Sequence, residues 1–409
     1  MKRYYENKKI DSETVIATAD IGKSSHWGYL RCAIADVKTF RFTNNMEGFS
    51  KWWSRVEEFK KTNNLEKVVF GYESTGSYGD PLKLFMQRKG ALLIQVNPMH
   101  TKKLKELSDN SPNKTDEKDP RVIADILMLG YGLTSVIPEG QIAELREQVL
   151  SRENRLEDIN RVKNRIEALL ARHFPEFLEI MGLRTKTSIY LLKNYSTAEA
   201  ISKKQIGELA AEVHEISRGQ IKYSKVDKLQ QTSLNSIGIR QGEEAYKKEI
   251  QRQILELKLL EEQLDEIEKQ MESIVDQLPE TRILRSVKGL GFITSAYLLS
   301  EVVDFKAYKV QKEIEKYAGL NLYEISSGKH RGQRRLSKRG RTLLRKALYM
   351  VALNMIRKGG IYHDNYQGYL KRGVKKVHAI VIIMKRLLRM VFSLVKKNET
   401  FVENYKYAA

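Results

Sequence analysis

The sequence predicts an α/β domain followed by an all-α remainder, and three observations predict it. Strand-length apolar runs alternate with helical segments through residues 13–96. Two stretches, 140–185 and 243–278, place apolar residues at three- and four-residue steps. Residues 281–409 are basic, helical in period and punctuated by glycine. A length of 409 residues accommodates two to three domains, and the boundaries expected are 1–135, 136–279 and 280–409.

The first domain starts with ETVIATAD (13–20), HWGYLRCAIAD (26–36) and VKTFRF (37–42), β-rich runs split by the turn IGKSS, as a three-stranded meander requires. A helix is expected around 46–63, then the buried run KVVFGYES (67–74), a short helix near 80–89 and the run ALLIQV (91–96). Near-continuous apolar runs alternating with helices indicate parallel strands covered on both faces. SDNSPNKTDEKDP (108–120) is polar turn chemistry, and RVIADILMLG resumes a helical period with Pro120 acceptable as its first residue.

In the middle region Leu257, Leu260, Leu264, Ile267, Met271, Ile274 and Leu278 form a coiled-coil seam. Leu145, Val149, Leu156, Ile159, Ile166 and Leu170 partly repeat it, with Arg152 and Lys163 as interruptions. The simplest architecture is a coiled-coil stalk with an insert at 186–242. Two apolar stripes need covering, which favours a homo-oligomer. In the last region VHAIVIIMKRLLRMVFSLVKK is an amphipathic helix expected to close the core.

A hydrophobic content of 41% beside 30% charge excludes a disordered chain. The single cysteine, Cys32, cannot make an internal disulfide or a cysteine-rich zinc cage, so a reducing, cytoplasmic setting is expected. Cys32 reads as an apolar filler in a strand. The start MKRYYENKKIDSE has no apolar stretch and no run reaches bilayer length, which argues against export and membrane insertion. The formal charge of +21 is localised: residues 281–409 carry 28 Lys and Arg against 8 Asp and Glu, whereas 1–280 carry 44 against 43. Such an excess steers a polyanion toward that region. Nucleic acid is the partner expected, because GKHRGQRRLSKRGRTLLRK lacks the Trp/Phe-lined face of an interfacial helix.

Four acidic residues carry the chemistry of the first domain. Asp20 ends the first strand, Glu73 ends the run KVVFGYES, and Asp116 and Asp119 lie three apart before a helix. Functional groups collect at strand ends in α/β sheets, and hard oxygen ligands suit Mg²⁺ or Mn²⁺. Two such ions can clamp the attacking and leaving oxygens of phosphoryl transfer. Plain readings stand beside this: Asp20 as a turn cap, Glu73 paired with a lysine, Asp119 as a helix N-cap. His26, His173, His330 and His378 show no zinc spacing and read as structural, with His26 the one placed to neighbour the carboxylates.

The flanking patterns are Asp20-Ile-Gly-Lys-x-x-His26, Glu73-x-Thr-Gly76-x-Tyr78 and Lys114-Thr-Asp116-x-x-Asp119. With them the sequence resembles the DEDD transposases of bacterial insertion sequences, the family numbered one hundred and ten, across 13–135 and 280–395. The resemblance implies a ribonuclease-H-like, RuvC-like fold in which Asp20, Glu73, Asp116 and Asp119 hold divalent metal. Pro120 stands where that family usually has alanine, which bears on the aim of Asp119.

In the basic region Val287-Lys-Gly289-Leu-Gly291-Phe-Ile-Thr-Ser-Ala296 has the form of a helix-hairpin-helix, whose backbone N–H groups grip phosphate without reading bases. An ordinary glycine-containing helix connection is the alternative. Downstream, Ser326-Ser327-Gly328-Lys329-His330-Arg331-Gly332 leads into Arg334-Arg335 and Ser337-Lys338-Arg339-Gly340. A serine hydroxyl crowded by cations suits phosphate chemistry, and a phosphate-binding loop without catalysis fits as well. The expected nucleic-acid contacts are Lys288, Gly289, Gly291, Lys329, Arg331, Arg334, Arg335, Lys338, Arg339, Arg341 and Arg345. The resemblance implies Ser327 as the nucleophile, with the adjacent Ser326 the main alternative and Ser337 a weaker candidate. It further implies a composite site within a dimer or tetramer, a 5′-phosphoserine link to DNA, and a guide RNA pairing with donor and target DNA. Two competing readings are a Holliday-junction nuclease that uses the carboxylates alone and a non-catalytic architectural protein.

Overall fold

The computed structural model describes residues 10–73, 76–109, 118–323 and 335–403. They divide into two compact units, Met1–Ala143 with Pro279–Ala409, and Glu144–Leu278.

The first unit is built on a six-stranded sheet. Its elements are β1 (Thr14–Ile21), β2 (Ser25–Arg31), β3 (Phe40–Thr43), α1 (Met46–Thr62), β4 (Lys67–Glu73), α2 (Asp80–Arg88), β5 (Leu92–Val96), α3 (Pro98–Asp109), α4 (Asp119–Met128) and β6 (Leu133–Thr134). The strand order is β3-β2-β1-β4-β5-β6. The meander β1-β2-β3 is antiparallel, β4 and β5 run parallel to β1, and β6 returns antiparallel along the edge. The reason lies in alternate residues. Val15, Ala17, Ala19 and Phe70 pack on one face with Trp52, Val56, Leu82 and Met86 of α1 and α2. Ile16, Val69 and Ile94 pack on the other with Ile123, Ile126 and Leu127 of α4. A strand buried on both faces needs apolar residues at every position, so β1 and β4 read as continuous runs.

Local chemistry sets the ends. Asn45 caps α1, its side chain accepting from the Gly48 N–H at 2.8 Å. The second strand stops at Arg31, short of the Asp36 expected, because Cys32 N–H bonds back to the Ala35 carbonyl and turns the chain. The third strand accordingly starts at Phe40, not Val37. Helix α3 was not expected from the sequence at all. Helix α4 begins at Asp119 with Pro120 in its first turn, and Lys118 occupies the cap position, so Asp119 is not the N-cap.

The second unit holds most of α5 (Gly140–His173) and then α6 (Pro175–Ile180), α7 (Lys186–Asn194), α8 (Ala198–Lys203), α9 (Ile206–Ser217), α10 (Tyr223–Leu234) and α11 (Glu243–Gln277). Helices α5 and α11 lie antiparallel: Gln148 bonds Gln270, Arg152 pairs with Glu268, Lys163 with Glu261 and Arg165 with Glu256. Ile159, Val162 and Ile166 meet Ile254, Leu257 and Leu260 in one core. Arg152, an interruption on paper, is buried in the seam and satisfied by Glu268 at 2.7 Å. Val275 is buried in place of Ile274, while Leu264 and Ile267 are half-buried. The two stripes thus cover each other within one chain, which removes the uncovered-stripe argument for a second copy. The 186–242 insert forms a helical cap, with Leu191, Leu192, Leu209, Val213 and Leu229 joining the same core as Phe174 and Phe177.

The basic region contributes α12 (Thr281–Ser286), α13 (Phe292–Val302), α14 (Gln311–Tyr317), β7 (Leu322–Tyr323), β8 (Arg335–Leu336), α15 (Thr342–Met355), α16 (His363–Lys371) and α17 (Lys376–Lys397). As expected, α17 buries an apolar face from Ala379 to Val395. No helix among the described residues is long and apolar enough to cross a membrane.

Candidate carboxylate site and basic surface

The parallel register of β1 and β4 pairs Thr18 with Gly71 and Ala19 with Tyr72. Continued by one residue, that register sets Asp20 beside Glu73 on strands whose backbones in a sheet run about 4.8 Å apart. They share the face of Thr18 and Gly71, because side chains alternate with period two. That face is α4's: a Cβ on Gly71 would meet Leu127 and Ile123. The Thr18 hydroxyl donates to the Pro120 carbonyl at 2.6 Å, pinning the start of α4 beside the end of β1. Pro120 sits in the first turn of α4, and its carbonyl is the anchor. Asp119, 7% exposed, is brought to the same face.

Two side chains of α3 hold two of these carboxylates. The Thr101 hydroxyl lies 2.8 Å from both Glu73 Oε2 and the Pro98 carbonyl, its one proton shared between them. Lys105, one turn further, is ion-paired with Asp119. Asp119 Oδ1 accepts no well-aligned hydrogen bond, although the ammonium is against it. A carboxylate so buried requires a partner charge. The donors available, carboxylate oxygens alone, fit a hard divalent cation, and Asp119 Oδ1 has lone pairs not committed to hydrogen bonds. Among the described residues no three His, Cys, Asp or Glu side chains close into a ligand group. Asp116 lies outside the described residues.

His26 is not a neighbour of these acids. Asp20 pairs with Trp27 across β1 and β2, so His26 projects to the opposite face. There it is fully buried against Phe42 and Phe49, with ring centroids 5.2 and 6.1 Å away. Burial holds its imidazole below the usual histidine range. Cys32 is buried, as the filler reading expects.

On the basic side, α12 and α13 are joined by a turn in which Gly289 adopts φ +101° and Gly291 precedes the second helix. Lys288 is exposed there. The strands β7 and β8 pair Tyr323 with Arg335 and Leu322 with Leu336, so the chain leaves and rejoins one short ladder. Ser326, Ser327, Lys329, Arg331 and Arg334 fall between, outside the described residues. Lys338 and Arg339 are exposed. Gly340 is explained by contact: a Cβ would lie 2.3 Å from the Tyr317 carbonyl oxygen and 2.6 Å from Gly319 N.

Two arginines expected on phosphate are engaged in the fold. Arg341 grips Glu301 with two bonds, Nε to Oε2 at 2.8 Å and Nη2 to Oε1 at 3.0 Å, and Glu301 is 2% exposed. Arg345 Nη1 donates to the Ala318 carbonyl at 3.0 Å, at the end of α14. Both act as internal ties, because a buried acid and an open helix end need donors. Within the same unit, burial and then the charges of Lys316, Arg339 and Lys103 hold His100 of α3 below the usual histidine range. The helix that touches the carboxylates thus also faces cations of the basic region. Sequence reasoning missed Thr101, Lys105 and Glu301. Only Glu301 left a trace, as one acid in the apolar run AYLLSEVV.

Comparison with known proteins bears on both regions. A transposase profile of the DEDD IS110 kind matches residues 17–175, and one described as transposase IS116/IS110/IS902 family matches 281–367, together more than half of the chain. A 44.8 kDa protein of insertion element IS116 from Streptomyces clavuligerus is 21% identical over 388 residues, covering 93% of this chain and 94% of its own. A 43.6 kDa protein of insertion element IS110 from Streptomyces coelicolor is 23% identical over 307 residues, 74% and 75% of the two chains. Among solved structures, T. thermophilus RuvC in complex with a Holliday junction substrate matches 30% of this chain and 99% of its own, at 13% identity and a TM-score of 0.23.

Proposed function

The chain belongs to the IS110 family of insertion-element transposases, and on that premise we propose that it cuts and rejoins DNA through a serine nucleophile assisted by a carboxylate-bound divalent cation. One observation carries the reading: Asp20 and Glu73 stand abreast in the sheet, with Asp119 anchored on the same face by the Thr18–Pro120 bond. Asp20, Glu73, Asp116 and Asp119 would hold Mg²⁺ or Mn²⁺, in a ribonuclease-H-like domain over 1–135. The cation would supply charge neutralisation at the transferring phosphate. Residues 136–279 are a coiled-coil stalk, and 280–409 the basic domain that bears Ser327.

Ser327 Oγ attacks the scissile phosphorus as the bond to the 3′ oxygen breaks. The serine proton passes to that oxygen, leaving a free 3′-hydroxyl and a 5′-phosphoserine. Attack by a 3′-hydroxyl of the partner strand reverses the step and releases the serine, through a Holliday-type junction. Exposed Lys338 and Arg339, with Lys288 in a helix-hairpin-helix, neutralise the backbone phosphates. Lys329, Arg331, Arg334 and Arg335 are assigned the same task around Ser327. A homo-oligomer unites serine and carboxylates, and a guide RNA pairs with donor and target DNA.

The test is capture of the covalent adduct. Incubating the full chain with donor and target DNA, guide RNA and Mg²⁺, then denaturing, should leave DNA bonded to protein. Ser327→Ala should abolish the bond and Ser326→Ala retain it. An adduct that survives Ser327→Ala displaces the nucleophile, and cleavage with no adduct in any variant favours carboxylate-directed hydrolysis.

A further inference from the structure

Helix α3 presents Thr101 and Lys105 four residues apart, a spacing that places both on one face. Each reaches a different carboxylate, Glu73 and Asp119 respectively. Their chemistry differs. Thr101 is neutral and leaves Glu73 its charge. Lys105 delivers a full positive charge to a carboxylate that is 7% exposed.

We propose that Lys105 is a positioning residue that competes with the divalent cation for Asp119, so that α3 sets how tightly metal is held. The inference rests on the metal reading above. Without metal, the buried Asp119 carboxylate needs a counter-charge, and the Lys105 ammonium supplies it. A divalent ion at the same oxygen repels that ammonium and takes its place beside Oδ1. Each therefore weakens the other's hold on Asp119. The Lys105 side chain remains 26% exposed and sits on a flexible four-carbon stem, so it has a route to water when displaced. Lys105 thus keeps the acid oriented for the incoming ion and opposes that ion's binding.

This competition predicts opposite signs for two measurements, which a merely structural lysine would move together. Full-length protein stripped by a chelator is titrated with Mn²⁺ in a calorimeter and melted with and without the ion. Lys105→Met should melt lower in chelator yet bind Mn²⁺ about tenfold tighter, the scale of one charge-assisted contact. Lys105→Arg, which restores a cation, should stay within about twofold of the parent. Lys105→Gln carries the same expectation as Lys105→Met should that variant not fold. Asp119→Asn should weaken Mn²⁺ binding. If Lys105→Met or Lys105→Gln binds Mn²⁺ no more tightly than the parent while Asp119→Asn binds it less, the competition is wrong and the metal site stands. If Asp119→Asn binds Mn²⁺ as the parent does, Asp119 is no ligand and both readings fall.

Discussion

Replacing Arg341 by alanine separates a fold-stabilising arginine from a nucleic-acid contact. Glu301 is 2% exposed on α13 and receives both guanidinium bonds, at 2.8 and 3.0 Å. Truncation leaves a buried carboxylate short of its main counter-charge, a loss of about 3–5 kcal/mol for a fully buried pair. Arg341 is itself 31% exposed in its side chain, so solvent screens part of the interaction and the low end, about 3 kcal/mol, is the expectation. At roughly 2–4 °C per kcal/mol for a unit of this size, the melting temperature should fall by about 6–12 °C. The double variant Arg341→Met, Glu301→Leu should recover most of it, since replacing both charges removes the unpaired group. Thermal melts and urea titrations of the full chain, run beside DNA binding at several salt concentrations, decide the matter. A variant that melts with the parent but loses affinity and about one unit of salt slope would make Arg341 a phosphate contact and refute the structural reasoning.

Other positions give sharp expectations. His26 is buried and its folded-state pKa is lowered, so the unfolded chain binds the extra proton first. Stability should therefore fall by up to about 1.4 kcal/mol per pH unit as pH drops below about 6.5, until the folded imidazole itself titrates. His26→Phe should flatten that segment of a pH–stability curve. Gly340→Ala must push the backbone of Tyr317 and Gly319 away and should cost about 1–3 kcal/mol. Gly368→Ala, in α16 with nothing within 4 Å, should instead raise stability by about 0.5–1 kcal/mol in parallel melts. Arg152→Ala should loosen α5 from α11 by about 2 kcal/mol, discounted because the Glu268 side chain is 25% exposed, as read from hydrogen exchange along both helices.

Much of the first domain was legible because two-sided burial writes itself as continuous apolar runs, which places β1, β4 and β5 to within a residue or two. Strand ends were less legible: Cys32 to Asp36 continues the β-rich composition, and the Cys32–Ala35 and Val37–Leu30 backbone bonds reveal the turn. Helix α3, PMHTKKLKELSD, has no broad apolar stripe; Leu104 alone of its leucines packs on the core described, and Thr101 adds a polar tie to the sheet. Asp20 and Glu73 were readable as strand-end acids, and the register makes them neighbours. Lys105 was not readable, since nothing in KKLKEL marks which lysine meets Asp119. Charge counting did not show that Arg341 and Arg345 also bond within the fold, to Glu301 and to the end of α14. Arg152 likewise looked like a break in a seam and is a satisfied part of it.

The most direct test of the central claim is strand exchange by the full chain with Mg²⁺, donor and target DNA and guide RNA, comparing the parent with Glu73→Gln. Glu73 is half-buried and tied by one hydroxyl, so the amide should fold with a melting temperature within about 2 °C of the parent. The account predicts that this folded variant rejoins no DNA. Exchange at or near the parental rate would show that the carboxylates on α4's face of the sheet do not hold the reacting centre.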